Sequence, residues 1–179
     1  MAMQLERVSM GIDRGSGAMK FKPSPMRLAT RLYDDTPQVV LRNAVGPRQR
    51  MLAQIRYNRL VDRFLGMPAY SLGFWSGKVG KELIEIDDVY VAVNRSGRQF
   101  VVPVQARVGD NRQGKVHAAR DIDWCKKKMP QSICWPILAQ FVTSSRIAFL
   151  SLCVYEGEIK VVEERHYELV PCQFMDPEV

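Results

Sequence analysis

Two β-rich runs joined by a short turn constrain this chain more than any other feature. Residues 83–93 and 99–107 are rich in β-branched and aromatic side chains, and Asn94-Arg95-Ser96-Gly97 between them are typical turn residues. The pattern predicts an antiparallel hairpin, in which residues that face each other have numbers that sum to about 191 or 192. The hairpin register therefore decides which side chains of the two strands share a face.

Acidic residues interrupt the first strand of this hairpin. Glu85 and Asp87 lie among apolar residues, and a carboxylate near a core needs a cation, hydrogen bonds or solvent. If the sum is 192, Asp87 faces Gln105 and Glu85 faces Arg107. All four side chains then project from one face, because side chains alternate along a strand.

This group of side chains allows two interpretations. Asp87, Glu85 and the carbonyl oxygen of Gln105 could hold Mg²⁺, which binds through one or two carboxylates together with water and phosphate oxygens. The metal would then activate a hydroxide and stabilise the charge on a phosphodiester. The alternative is a structural one, in which Glu85 and Arg107 form a cross-strand ion pair.

The rest of the chain predicts helices and strands around the hairpin. Pro47 and the stop at Gly66-Met67-Pro68 predict a helix over residues 47–65. A lysine run before Pro130 predicts a second helix over residues 112–128. We also expect a short strand at 38–41, a loop at 67–81, and strands over 137–170. The order predicts an α+β (α/β-like) domain over residues 26–179, with a mixed central sheet flanked by helices.

Positive charge is concentrated in the first third of the chain. The net charge is +7, and residues 1–63 hold 12 Lys and Arg against 5 Asp and Glu, whereas the remainder holds 14 of each. Residues 1–25 combine Gly and Pro with basic residues that include Lys20 and Lys22, and they predict a flexible basic arm. Clustered cations of this kind favour binding to a polyanion through counterion release. A solvated basic surface is the alternative.

Three arginines extend this basic character into the first predicted helix. On a 3.6-residue period, Arg56, Arg59 and Arg63 line one side of the helix, and apolar residues line the other. Guanidinium groups suit phosphate oxygens, so this stripe is a candidate nucleic-acid-binding surface. A solvated charged face is equally consistent with the pattern.

Several classes of protein and site are disfavoured. No apolar run approaches the ~20 residues that cross a bilayer, and the first residues lack the apolar core of a signal peptide, so we expect a cytoplasmic protein with no membrane association. The four cysteines are spaced too widely for a Cys-x-x-Cys zinc site and are expected to be buried thiols. They are Cys125, Cys134, Cys153 and Cys172. His117 and His166 have no histidine partner three or four residues away, which disfavours a histidine-based zinc site.

The hairpin with Asp87 and the triplet Gln105-Ala106-Arg107 resembles the PD-(D/E)xK nuclease superfamily. In that superfamily an acid on one strand and a (D/E)-x-K triplet on the next strand bind the metal and assist hydrolysis. More narrowly, residues 55–62, 85–91, 102–107 and 163–167 look like a little-characterised group of prokaryotic endonuclease-like proteins, over about residues 47–171. The resemblance implies a restriction-endonuclease-like core, DNA as substrate, and Mg²⁺ or Mn²⁺ held by Asp87, with Glu85 as a second acid.

Two positions depart from the superfamily pattern. Gln105 stands where an acid is usual, and it offers a metal only a neutral carbonyl oxygen. Arg107 stands where lysine is usual, and a guanidinium cannot accept a proton near neutral pH. The first hypothesis is therefore a Mg²⁺-dependent endonuclease with weakened catalysis. The second is a non-catalytic nucleic-acid-binding protein on a nuclease scaffold.

Two further expectations follow from these hypotheses. A homodimer would suit an enzyme that must cut two strands, although no patch in the sequence indicates an interface. A third interpretation takes Glu85 and Asp87 as the first acids of an RNase H-like core. It ranks last because the downstream acids, such as Glu163 and Glu164, lie in or beside a predicted hairpin rather than on a helix.

Overall fold

An eight-stranded mixed sheet forms the body of the protein. A computed structural model describes residues 21–109 and 114–171. The strands are β1 (Ala29–Asp34), β2 (Ala69–Val79), β3 (Glu82–Val93), β4 (Gln99–Arg107), β5 (Ile133–Cys134), β6 (Ile137–Phe141), β7 (Arg146–Tyr155) and β8 (Glu158–Pro171). The helices are α1 (Gln38–Asn43), α2 (Gly46–Tyr57), α3 (Leu60–Leu65) and α4 (Gly114–Lys128).

The strand order makes the sheet mixed. It runs β1-β8-β7-β6-β4-β3-β2, with β5 paired to β4 off this path. The pairs β1/β8, β4/β5 and β4/β6 are parallel, and the other neighbours are antiparallel. Parallel neighbours need a crossover connection, and α4 lies in the one between β4 and β6. The predicted α+β class with a mixed sheet is confirmed.

Helices cover both faces of the sheet. Met51 and Ile55 of α2 lie in one buried cluster with Val102, whereas Trp124 of α4 lies in another with Val101. Because consecutive residues of a strand point to opposite faces, α2 and α4 pack on opposite sides of β4. Each large apolar side chain buried in this way stabilises the fold by about 1.5–3 kcal/mol before entropy is counted.

The central hairpin has the second of the two registers considered. Asp88 pairs with Val104 and Val89 with Pro103, which gives a sum of 192. The formal ladder between β3 and β4 ends at the Asp88–Val104 pair. Residues 105–107 continue instead in the parallel ladder with β6. The last part of β4 therefore lies where its neighbours β3 and β6 diverge.

Three predicted elements need correction. Residues 38–41 form part of helix α1 rather than a strand, and residues 69–79 of the predicted loop form the edge strand β2. The predicted helix over 47–65 is present as two helices, because Arg59 adopts a left-handed conformation with φ of 49°. The predicted second helix is present as α4, and residues 110–113 lie outside the described part.

The N-terminal arm falls largely outside the structure. Residues 1–20, which include Lys20, are not among the described residues, and Lys22 is exposed. Residues 21–25 form neither helix nor strand. In the described ranges, no helix has both the length and the apolar character needed to cross a membrane.

Candidate functional site

A β-bulge in β3 determines where its two central acids point. Gly73 of β2 pairs with Val89 and Trp75 pairs with Ile86, so the single residue Phe74 stands opposite both Asp87 and Asp88. Two residues against one is a bulge, and bulges bend a strand and redirect its side chains. Both carboxylates bind arginines of α2.

Asp87 connects β3, β4 and α2. Its side chain is nearly fully buried, and its Oδ1 accepts a hydrogen bond from Nη2 of Arg48. Its Oδ2 accepts the backbone N–H of Ala106 at 2.7 Å, beyond the point where the ladder between the two strands ends. The carboxylate thus satisfies an N–H for which the diverging strand supplies no backbone acceptor.

Asp88 forms the second link to α2. It is fully buried, and its Oδ2 accepts a hydrogen bond from Nε of Arg56 at 2.7 Å. Its Oδ1 accepts the hydroxyl of Ser71 at 2.6 Å. Both oxygens are therefore used within the protein, and Asp88 serves to hold α2 against the sheet.

Gln105 connects β4 to α4. Its Nε2 donates to the backbone oxygen of Glu85 at 2.9 Å and to Oδ1 of Asp121 at 3.1 Å. Asp121 is only 2% exposed. Burial raises the pKa of Asp121 to about 7, against the lowering effects of the Gln105 hydrogen bond and of nearby Arg107. At neutral pH Asp121 is consequently divided between its acid and carboxylate forms.

The guanidinium of Arg107 lies at the same end of β4 and has nitrogens that lack hydrogen-bond acceptors among the described residues. These nitrogens are Nε and Nη2, and both are buried. Burial, and then the neighbouring Arg48, lower the pKa of Arg107, while Asp121 acts in the opposite direction. Buried donors that lack an acceptor are costly. An anionic group placed beside Arg107 would supply the missing acceptors.

His117 of α4 lies in the same positive environment. Its pKa is lowered to about 4 by burial and then by the charges of Arg107, Arg120 and Arg48. The imidazole is therefore neutral at neutral pH, and the net field of the surrounding guanidinium groups is positive. A field of this sign favours a bound anion.

The structure brings together some of the predicted site residues. Asp87, Gln105 and Arg107 all lie at this end of the hairpin, but they do not share a face as the register predicted. Asp87 binds Arg48 of α2, whereas Gln105 binds Asp121 of α4 on the opposite side of the sheet. Glu85 has an exposed side chain and reaches this group only through its backbone oxygen. Among the described residues Glu85 and Arg107 form no ion pair, so the structural alternative of a cross-strand pair is wrong.

Three residues of the site were not found from the sequence. Arg48, Asp121 and His117 come from α2 and α4, which reach the strand end from opposite faces of the sheet. Arg48 is one of the basic residues counted in the first third of the chain, but no pattern in the neighbouring sequence indicates a contact with Asp87. Asp121 lies on a predicted helix, and its contact with Gln105 depends on how the crossover packs.

The arginines of the predicted stripe do not line one continuous helix. Arg59 lies between α2 and α3, where its guanidinium pairs with Asp62. Arg56 pairs with Asp88, and Nε of Arg63 donates to the backbone oxygen of Asn58 at 3.2 Å. All three are bound within the protein while part of each remains exposed. A contact between these residues and nucleic acid stays a prediction.

The predicted metal ligands do not fit a ready-made Mg²⁺ site. Both oxygens of Asp87 accept hydrogen bonds from protein donors, and Gln105 supplies no charge. In the described ranges, no group of three or more His, Cys, Asp or Glu residues has a geometry that could hold a metal. Mg²⁺ or Mn²⁺ could reach Asp87 only if Arg48 left it.

Comparisons of the chain with protein-family models, with curated protein sequences and with solved structures found no match.

Proposed function

We propose that this chain is a nuclease-like DNA-binding protein that binds the phosphate backbone at the end of β4. In this proposal the mixed sheet is a restriction-endonuclease-like core, in which Asp87 keeps the position of the metal-binding acid. Gln105 and Arg107 replace the second acid and the lysine. These replacements change the site from one that attracts a cation to one that attracts an anion.

The observation that supports this proposal most is that Nε and Nη2 of Arg107 are buried without a hydrogen-bond partner in the described part of the chain. Because these nitrogens are buried, the partly exposed Arg107 side chain must shift before its planar fork of donors can meet two phosphate oxygens. The Arg48 side chain is 52% exposed and adds a second cation to the same site. A backbone phosphate would receive hydrogen bonds and charge neutralisation from Arg107, whereas Arg48 already shares its charge with Asp87.

A Mg²⁺-dependent endonuclease is the second candidate, and Asp121 favours it. A carboxylic acid with a pKa of about 7 is suited to proton transfer at neutral pH. Arg107 lies close enough to influence that pKa, and its charge would stabilise negative charge that develops on a phosphodiester. Metal binding at Asp87 would require the ion pair with Arg48 to open first.

One experiment separates the two candidates. The purified full-length protein is mixed with a labelled DNA duplex in EDTA, and with supercoiled plasmid in Mg²⁺ or Mn²⁺. If the protein binds DNA without cutting it, we expect an affinity for the duplex in EDTA that falls steeply as the salt concentration rises. The endonuclease proposal expects nicked or linear plasmid with metal, and loss of cleavage in Asp87→Ala.

The outcomes are distinct. Salt-sensitive binding without plasmid cleavage supports the first candidate and contradicts the second. Cleavage that Asp87→Ala abolishes, and that the exposed control variant Asp123→Ala retains, supports the second. A protein that neither binds nor cuts DNA contradicts both.

A further inference from the structure

Three cysteines line one groove on the α4 side of the sheet. The groove has a volume of about 350 Å³ and lies between the last turn of α4, β5 and β7. Cys125, Cys134 and Cys153 all contribute to its wall, and all three are free thiols. The residues that line the groove are not those of the strand-end site, although Asp121 lies close enough to Cys125 to influence its pKa.

Cys125 and Cys134 form a pair within this group. Cys125 is buried in an apolar cluster against which the partly buried Cys134 packs. A hydrogen bond with Cys134, and then burial, raise the pKa of the Cys125 thiol. Cys153 lies in the groove wall but belongs to no cluster with Cys125. The chain thus places Cys134 beside Cys125, and it places Cys153 in the wall of the same groove.

We propose that Cys125 and Cys134 are an oxidisable dithiol, in which Cys134 reacts first with a hydroperoxide such as H₂O₂. Cys134 is partly exposed and lines the groove, whereas Cys125 is 1% exposed. The oxidant therefore reaches Cys134, and the resulting oxidised sulfur has a second thiol beside it. Sulfenic acids with such a neighbour condense to disulfides.

The reaction balances with the peroxide as the sole co-reactant. The Cys134 sulfur attacks one peroxide oxygen, the O–O bond breaks, and a sulfenic acid and one water form. The Cys125 sulfur then attacks the sulfenic sulfur, the S–O bond breaks, and a disulfide and a second water form. The two sulfurs lose two electrons to the peroxide oxygens, and the thiol protons leave in the waters.

Formation of this disulfide would join the last turn of α4 to β5. Residue 121 lies one turn before Cys125 on α4, so the cross-link would restrain the helix that carries Asp121 into the strand-end site. The proposal does not depend on what that site binds, and it is tested by chemistry at the thiols alone.

Peptide mapping of the wild-type protein provides the test. Trypsin cuts after arginine and lysine and would place the four cysteines in separate peptides: 121–126, 129–146, 147–160 and 166–179. The folded protein is treated with H₂O₂, its remaining thiols are alkylated, and the digest is analysed by mass spectrometry with and without reduction. We expect 121–126 linked to 129–146, with a mass about 2 Da below the sum of the two peptides.

Matched variants complete the design. Cys153→Ser should form the same link to the same extent. Cys125→Ser should form none and should leave Cys134 as a sulfenic acid that dimedone traps. A link from Cys134 to Cys153 or Cys172 would overturn the proposal. So would Cys134 that is over-oxidised beside an unreacted Cys125, or thiols that all stay reduced.

Discussion

Three buried aspartates near the strand end differ in the charge of their partners. Asp87 and Asp88 each accept hydrogen bonds from an arginine of α2, whereas Asp121 accepts one from the neutral amide of Gln105. A buried carboxylate with only a neutral donor is harder to ionise than one beside a cation. Burial raises the pKa of Asp121 to about 7, and the Gln105 hydrogen bond and the charge of Arg107 oppose this only in part.

Asp121 should make the stability of the protein depend on pH. Its pKa rises from 3.8 to about 7 on folding, so in this interval the folded state binds a proton that the unfolded state has lost. The free energy of unfolding should therefore fall as pH rises across the interval, by up to about 1.4 kcal/mol per pH unit. Asp121→Asn cannot ionise and should lose this dependence.

Urea unfolding at pH 5 and pH 7.5 measures the effect. The free energy of unfolding of Asp121→Asn minus that of wild type should be clearly larger at pH 7.5 than at pH 5. His117 titrates in both proteins, so its own contribution largely cancels in the comparison. If the stability difference between variant and wild type is the same at both pH values, the ionisation assigned to Asp121 is wrong.

Asp88 should matter for stability rather than for DNA binding. Asp88→Ala leaves the Ser71 hydroxyl and the Arg56 guanidinium without their acceptor, and Arg56 is partly exposed, which softens the loss. We expect a decrease of about 2–3 kcal/mol in the free energy of unfolding. Glu82→Ala removes an exposed pair with Arg120 and should change it by less than about 0.5 kcal/mol. Equal effects in a urea titration would refute the structural role.

At the scale of elements, the break between α2 and α3 is held by one side chain. Asn58 is 3% exposed, and its Nδ2 donates to Oδ1 of Asp34 and to the backbone oxygen of Gln54, both at 2.9 Å. Its Oδ1 accepts the backbone N–H of Asp35 at 2.9 Å. These bonds join the end of α2 to the segment that follows β1.

Asn58→Ala should therefore loosen the helical layer. Several buried polar groups would lose their partner, and we expect a loss of about 2–3 kcal/mol in the free energy of unfolding. Asn43→Ala is the matched control, because its side chain makes an exposed bond to the backbone oxygen of Val39. Thermal unfolding of both variants tests this, and a loss in Asn43→Ala as large as in Asn58→Ala would contradict it.

Local sequence patterns predicted some of these elements well and others poorly. The hairpin over 83–107 followed from its β-rich runs and turn, and the register with a sum of 192 was one of the two expected. The exposed edge strand β2 was missed because Gly73 and Gly77 suggested a loop. The helix break was missed because periodicity does not include the bonds that Asn58 makes to residues far along the chain.

The candidate site shows the same limit. Alternation along the strands predicted that Asp87, Gln105 and Arg107 share one face, and that prediction was wrong for Asp87. The bulge opposite Phe74 redirected Asp87 towards α2, and no residue pattern in β3 indicates a bulge. Arg48 and Asp121 come from helices on opposite faces, so only the packing of the whole fold brings them to Asp87 and Gln105.

At the scale of the whole molecule, the central hairpin has two ends with different character. Its turn carries the exposed Arg95 and Arg98, and its other end carries Arg107, about 30 Å away by the length of a nine-residue strand. Both ends are basic, so net charge alone would make them equal partners for DNA. We propose that DNA binds instead at the end where Nε and Nη2 of Arg107 are buried without a hydrogen-bond partner in the described ranges.

Replacing Arg107 should weaken DNA binding without making the fold less stable. Arg107→Met keeps most of the side-chain volume and removes two donors, Nε and Nη2, that have no acceptor among the described residues. Replacing such a group is neutral or stabilising for the fold. The thermal midpoint of Arg107→Met should therefore equal or exceed that of wild type, whereas a marked decrease would mean that the guanidinium has a structural role.

The most direct measurement is the affinity of wild type, Arg107→Met and Arg95→Met for one labelled DNA duplex, by fluorescence anisotropy at a single salt concentration. Loss of charge-assisted hydrogen bonds to a phosphate should weaken Arg107→Met by about tenfold or more, while Arg95→Met stays within about twofold of wild type. If the two variants lose affinity equally, or if Arg107→Met binds as tightly as wild type, the end of β4 is not where this protein binds DNA.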